Sequence, residues 1–285
     1  MKVLIHSNKN KDQDFLKTKE IINYLISKEL EVVVSEEMFE DFKEMNVSIF
    51  NQEDASQIRF ALVLGGDGSF LRAARQYYKY HFPFLGLNLG RVGYLTECDM
   101  TNAYEMIDMV INKQYKIKEM ALLDVQIISE QGFKKYVAFN EVLIHRGAYL
   151  KMMKIDVKIK DRFLDAFYAD GVIVSTTMGS SAYNLSAGGP FILDNAKCFA
   201  ITTICPQSGI VPPVIVNDED LIEVTAQTKH DQKYQVVVDG KHLVEVKNGT
   251  SVFISKSNES LSLITFNNES KRVNHITKAF NGYIY

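Results

Sequence analysis

The periodicity of the chain changes once, near residue 100, and that change limits the folds open to it. Before it, short apolar runs alternate with segments of helical period. "KVLIHS" reads as a buried strand, Phe15, Ile22, Leu25 and Ile26 recur at helical spacing over residues 14–27, and "LEVVVS" returns to strand. "FALVLGG", the helix-like "SFLRAARQYYKY" and "FPFLGLNLG" repeat the cycle. Strand, helix, strand in repetition implies a parallel sheet covered by helices, with ligands at the carboxyl ends of its strands. After a helical linker over 101–113 the segments become short, Val- and Ile-rich and often alternating, as in "LLDVQIIS", "YVAFNEVLIH", "LIEVTAQT" and "YQVVVDG". In "KIDVKIKD", Ile155, Val157 and Ile159 fall on one face and Lys154, Asp156, Lys158 and Lys160 on the other, a strand with one wet side. The expected fold is an α/β N-terminal domain with a parallel sheet over residues 1–100 and a β-rich, β-sandwich-like C-terminal domain over 101–267. The apolar end, about 268–285, is expected to pack back on the first domain.

With 46% hydrophobic and 24% charged residues among 285, the chain can bury a substantial core. Its 32 Lys and Arg against 35 Asp and Glu give a net charge of −3, so no global basic field draws it to nucleic acid or anionic lipid. The three cysteines form no CxxC pair, which suits a reducing cytosol. No window approaches the roughly 20 apolar residues of a membrane span. The expectation is a soluble, cytoplasmic protein with no nucleic-acid or membrane partner.

The strand "FALVLGG" runs into Asp67-Gly68-Ser69. Gly65, Gly66 and Gly68 permit positive φ and close approach of a ligand to the backbone. Ser69 is the expected N-cap of the following helix, whose free N–H groups and positive dipole end would face an anion. Arg72, in the first helical turn, can add a charge-assisted phosphate contact. There is no GxxxxGK[ST], and "GLNLGRVG" is not GxGxxG. Asp67 admits two readings. It can support a tight turn through backbone hydrogen bonds, or it can take the proton of an acceptor hydroxyl in phosphoryl transfer, which justifies a carboxylate beside phosphates.

GGDG followed by Ser or Thr resembles the phosphate-donor turn shared by NAD kinases, by diacylglycerol and sphingosine kinases and, more remotely, by phosphofructokinases. The second domain chooses among them. "DGVIVSTTMGSSAYNLSAGGP", residues 170–190, closely resembles the signature of the NAD kinases, and Asn140–Glu141 in "FNEVLIH" resembles their Asn-Glu motif. The three motifs stand in the family's order, and the resemblance spans most of the chain.

The resemblance implies phosphoryl transfer from ATP to the 2′-hydroxyl of the adenosine ribose of NAD, giving NADP, with Mg²⁺ delivered by ATP. By it Asp67 carries over as proton acceptor, and Gly65, Gly66 and Gly68 as the donor turn, with Gly68 also in the dinucleotide site. Asn140, Glu141, Asp170, Ser181, Ala182, Tyr183, Asn184, Leu185 and Ser186 carry over as NAD contacts. Arg72, Lys151 and Gly240 match positions near the substrates. Relatives commonly form homodimers or homotetramers, and some use inorganic polyphosphate as donor. Where relatives read Ser-Thr-Pro-Thr-Gly-Ser-Thr-Ala-Tyr, this chain has Thr177-Met178 and Ser181, which removes one small hydroxyl residue. A lipid kinase would need an acyl pocket in place of these polar segments. A non-catalytic NAD(P) sensor would have little use for Asp67.

Overall fold

A computed structural model describes residues 2–90, 93–130, 132–160, 162–209 and 211–266, so the expected docking of residues 268–285 lies outside the described residues. Two compact units emerge among the described residues: one runs to Glu119 and is taken up again from Leu261, and the other is Met120–Ser260.

The first unit runs β1 (Lys2–Ser7), α1 (Leu16–Ser27), β2 (Glu31–Val34), α2 (Glu36–Phe42), β3 (Val47–Ile49), β4 (Ile58–Gly65), α3 (Asp67–Tyr77), β5 (Phe84–Asn88), β6 (Cys98–Asp99) and α4 (Ala103–Ile111). Strands β3, β2, β1, β4 and β5 lie side by side in that order, all parallel. The sheet's central strands β1, β4 and β5 are buried on both faces, as parallel strands are, while the edge strand β3 is largely exposed. Val3 and Ile5, Phe60 and Leu62, and Leu85 and Leu87 share a cluster with Ile21, Ile22 and Leu25 of α1. The intervening Leu4, Ala61, Val63 and Phe84 are buried as well. Strand order reverses between β1 and β4, so their carboxyl ends open the crevice where such sheets take ligands. The glycine turn follows β4 directly. Ala103, Met106, Ile107 and Val110 of α4 pack into this core, which carries residues 101–119 into the first unit and not, as drawn from the sequence, into the second.

The second unit is antiparallel. Strand β7 (Lys116–Ser129) enters it and hairpins with β8 (Gly132–Ala138). There follow β9 (Glu141–His145), β10 (Met153–Ile159), β11 (Arg162–Ala169), β12 (Gly171–Ser175), the short α5 (Tyr183–Ser186), β13 (Cys198–Ile204), β14 (Val214–Asn217), β15 (Ile222–Gln227), β16 (Tyr234–Val238), β17 (His242–Val246) and β18 (Ser251–Thr265). One sheet has the order β14-β13-β12-β9-β16-β17. Opposite it, β11, β10, β15 and the start of β18 pair in sequence. Val142, Ile144, Val172, Val174 and Val236 from one layer meet Ile155, Val157, Val224 and Ile254 from the other in a single apolar cluster. The predicted two-faced strand is β10: Ile155 and Val157 point into the core, while Lys158 pairs with Glu223 at 3.1 Å on the outer side. The end of β18 returns to the first unit, where Leu263 pairs with Phe84 of β5.

Candidate active site

The first cluster forms at the reversal point of the parallel sheet. Gly65 closes β4 with φ +153°, and a Cβ there would lie 2.5 Å from Ser69 Oγ, so the chain needs glycine to fold back this tightly. Gly66 is the N-cap of α3, and its carbonyl accepts the N–H groups of Ser69 (2.9 Å) and Phe70 (3.0 Å). Ser69, expected as the cap, therefore sits inside the first turn, and its Oγ accepts from Asn8 Nδ2 at 3.0 Å. That bond ties the ends of β1 and β4 together. At Gly66 and Gly68 nothing lies within 4 Å of the place a Cβ would take, which leaves the outer side of the turn open.

Asp67 is the first helical residue, with a half-buried carboxylate. Its Oδ2 accepts from Tyr94 N–H at 2.9 Å and its Oδ1 from Leu95 N–H at 3.0 Å. Gly93 packs against it so closely that a Cβ there would fall 2.1 Å from Oδ1. The carboxylate thus anchors the 93–95 segment, as the turn-supporting reading requires. One lone pair on each oxygen is used in this way, and each oxygen retains another for a hydroxyl proton. Arg72 projects from α3 into solvent. His6, near the end of β1, is only 8% exposed, and its Nδ1 has no hydrogen-bond partner among the described residues. Burial first, and the Arg72 guanidinium second, push its pKa down to about 4, so the imidazole is neutral at pH 7.

The second cluster forms where β9, β12 and β16 meet. Asn140 and Glu141 open β9, and Glu141 is 8% exposed. The Asn140 carbonyl accepts Thr176 N–H at 2.9 Å, while Thr176 Oγ1 donates to Phe139 O at 2.7 Å and accepts Gly179 N–H at 2.9 Å. A Cβ at Gly179 would stand 2.1 Å from the Asn140 carbonyl oxygen. The Asn-Glu pair and the 176–183 loop are thus one construction. Asp170 accepts from Arg146 Nε at 2.7 Å at the neighbouring strand end. Nearby His145 is held below its ordinary pKa by burial and then by Arg146, with Asp170 opposing.

Along the loop the candidate contacts separate into two kinds. Tyr183 is 42% exposed, so its ring is not core, and Ser186 is exposed beside it. Ser181, Ala182 and Leu185 are half-buried. Asn184 is fully buried: its Nδ2 donates to Ser180 O (3.3 Å) and Pro190 O (3.0 Å), and its Oδ1 accepts from Thr202 (2.7 Å). Those bonds engage the side-chain amide in bracing the loop, so what Asn184 presents outward is its backbone. Met178 is buried, so the departure from the family's hydroxyl residue is absorbed in packing. Lys151 is exposed on the rim of an open cavity of about 720 Å³ with Tyr149, His230 and Gln235. Gly240, at φ +64°, makes the β16–β17 turn.

Sequence reasoning missed Asn8, His6 and the 93–95 segment, although Asn8 and His6 could have been found by asking what stands at the end of β1 opposite the glycine turn. Among the described residues no three His, Cys, Asp or Glu side chains gather as metal ligands, and no helix is long and apolar enough to cross a membrane.

Comparison with known proteins agrees over both units. Residues 3–115 match the model of the ATP-NAD kinase N-terminal domain, and residues 139–266 that of the ATP-NAD kinase C-terminal domain. An NAD kinase of Thermoanaerobacter sp. (strain X514) is 30% identical over 273 residues, 94% of each chain, and one of Lachnospira eligens is 33% identical over 266 residues, 89% of this chain and 91% of that one. Among solved structures, a yeast NADH kinase complexed with NADH superposes with a TM-score of 0.85 at 21% identity, covering 98% of this chain and 87% of that one. An NAD kinase from Archaeoglobus fulgidus in complex with ATP gives 0.74 at 26% identity, covering 98% of both. Identity at this level over nearly the whole length, with both domain models matched in order, means that the chain belongs to the NAD kinase family.

Proposed function

We infer that this chain is an NAD kinase, transferring the γ-phosphoryl group of ATP to the 2′-hydroxyl of the adenosine ribose of NAD. The observation that carries the reading is Asp67, a carboxylate fixed by two backbone amides at the open mouth of a glycine turn. Mg²⁺ arrives with ATP as part of the substrate. The turn and the N-terminus of α3 receive the donor phosphates, with Arg72 as a supplementary cation. Asn140, Glu141, Asp170, Ser181, Ala182 and Tyr183 hold the dinucleotide. As the bond from the ribose oxygen to phosphorus forms and the bond from phosphorus to the β-phosphate oxygen breaks, the hydroxyl proton passes to Asp67 and ADP leaves. A carboxylate is a weak base, so this transfer runs late, when bonding to phosphorus has acidified the hydroxyl.

The relatives' names and the ATP in the Archaeoglobus enzyme support the assignment of both substrates. We place the enzyme in the cytoplasm as a homodimer or homotetramer. Exposed Phe163, Leu164 and Tyr168 along β11 supply an apolar surface for self-association, which sedimentation would read. The deciding assay offers NAD, NADH or a diacylglycerol with Mg·ATP or polyphosphate and identifies the product. NADP from NAD with Mg·ATP is expected. A phospholipid product without NADP would move the chain to the lipid-kinase branch, and binding of NAD without turnover would make it a sensor.

A further inference from the structure

The turn joining β16 to β17 is Asp239–Gly240, with φ of +51° and +64° and a bond from Lys241 N–H to Val238 O of 3.0 Å. This is a tight hairpin of the kind that favours Asn, Asp or Gly at its first corner, so the backbone alone does not demand a carboxylate there. The side chain leaves the turn. Asp239 Oδ1 accepts from the N–H groups of Phe139 (3.1 Å), Asn140 (2.7 Å) and Glu141 (3.2 Å), and Oδ2 accepts from Phe139 N–H at 2.9 Å. Its own N–H donates to Glu141 O at 3.0 Å. Three successive amides thus converge on one anion, an arrangement that stabilises negative charge and rigidifies the peptide units presenting it. Thr176 and Gly179 hold the opposite, carbonyl side of Asn140. Both peptide planes flanking Asn140 are therefore fixed.

We propose that Asp239 is the positioning residue for the Asn140–Glu141 pair, setting the backbone from which those two side chains reach the dinucleotide acceptor. The proposal rests on the reading of that pair as NAD contacts. An asparagine at 239 suits the turn equally well but offers a single acceptor oxygen and no charge. If the role were only to make the turn, Asp239→Asn would be silent.

The test compares Asp239→Asn, Asp239→Glu and Glu141→Gln by steady-state kinetics with NAD or Mg·ATP varied, alongside thermal melts. For Asp239→Asn the KM for NAD should rise about tenfold or more, the loss expected for hydrogen bonds to a charged acceptor, while the KM for Mg·ATP stays near wild type and the melting temperature falls only as far as weakened backbone hydrogen bonds require. Should Asp239→Asn not fold, Asp239→Glu serves: its carboxylate persists one methylene out of place, and the same split between substrates is expected. Equal shifts in both KM values, no shift where Glu141→Gln raises the KM for NAD, or failure of both variants to fold overturns the proposal. If Glu141→Gln leaves the KM for NAD unchanged, the reading of the pair as NAD contacts fails, and this inference falls with it.

Discussion

A carboxylate that accepts two backbone N–H bonds and is also asked to accept a substrate proton has two jobs, and Asp67→Asn separates them. The amide keeps one acceptor oxygen and turns an NH₂ toward the second backbone donor, so one of Tyr94 and Leu95 loses its partner. Leaving a partly buried N–H unpaired costs about 1–3 kcal/mol of stability. Removing the base should in addition lower kcat by roughly 10²–10⁴ with NAD still bound. Kinetics, direct titration with NAD and a melt of the same variant measure the two effects apart. A melt shifted as expected with near-normal kcat would mean that Asp67 only builds the turn. Residue-level reading of the sequence went as far as residue type allows: it found a carboxylate in a glycine turn and named the backbone bonds it makes as one of two readings. It misjudged Ser69 because cap preference is only a statistical pull, and here the Gly66 carbonyl had already taken the cap position. It could not see that the Asn184 side chain turns inward, because a motif names a residue without saying which way its side chain points.

At the scale of elements, the alternation of strands and helices and the later two-faced strands were legible because periods of 3.6 and 2 are written locally. What was not legible is contact between distant elements. Asp239 lies 98 to 100 residues from the amides it holds, and nothing local to "VVVDGK" marks that reach. The meeting of the 176–183 loop with the start of β9 was equally hidden, and it depends on Gly179. A methyl group at that position would stand 2.1 Å from the Asn140 carbonyl oxygen, a backbone atom with no rotamer to yield. Gly179→Ala should therefore push the loop off Asn140. We expect a loss of about 1–3 kcal/mol in denaturant unfolding, as for other overpacked sites, and a weakened titration with NAD. Unchanged unfolding and unchanged NAD affinity together would show that the loop does not lean on the pair.

At the scale of the whole molecule, His6 makes stability depend on pH. Its imidazole is depressed from an ordinary 6.5 to about 4 by burial and by Arg72, so between these values the unfolded chain binds a proton that the folded chain does not. Stability is fully present above pH 6.5, falls as the pH drops toward 4, and loses on the order of 3 kcal/mol in all from this group. Wild type should thus lose roughly 2–3 kcal/mol more than His6→Leu between pH 7 and pH 4.5 in equilibrium unfolding. Equal losses would assign the acid sensitivity to other groups. Chain order has a different consequence. The strand segment that pairs Leu263 with Phe84 belongs to the first unit but is made after all of the second. At roughly 5–20 residues per second of synthesis, the edge of β5 waits on the order of ten seconds on the ribosome for that partner. A nascent chain halted at Ser260 holds the whole second unit and most of β18 but not the end segment that pairs with β5, so the unit begun first is completed last.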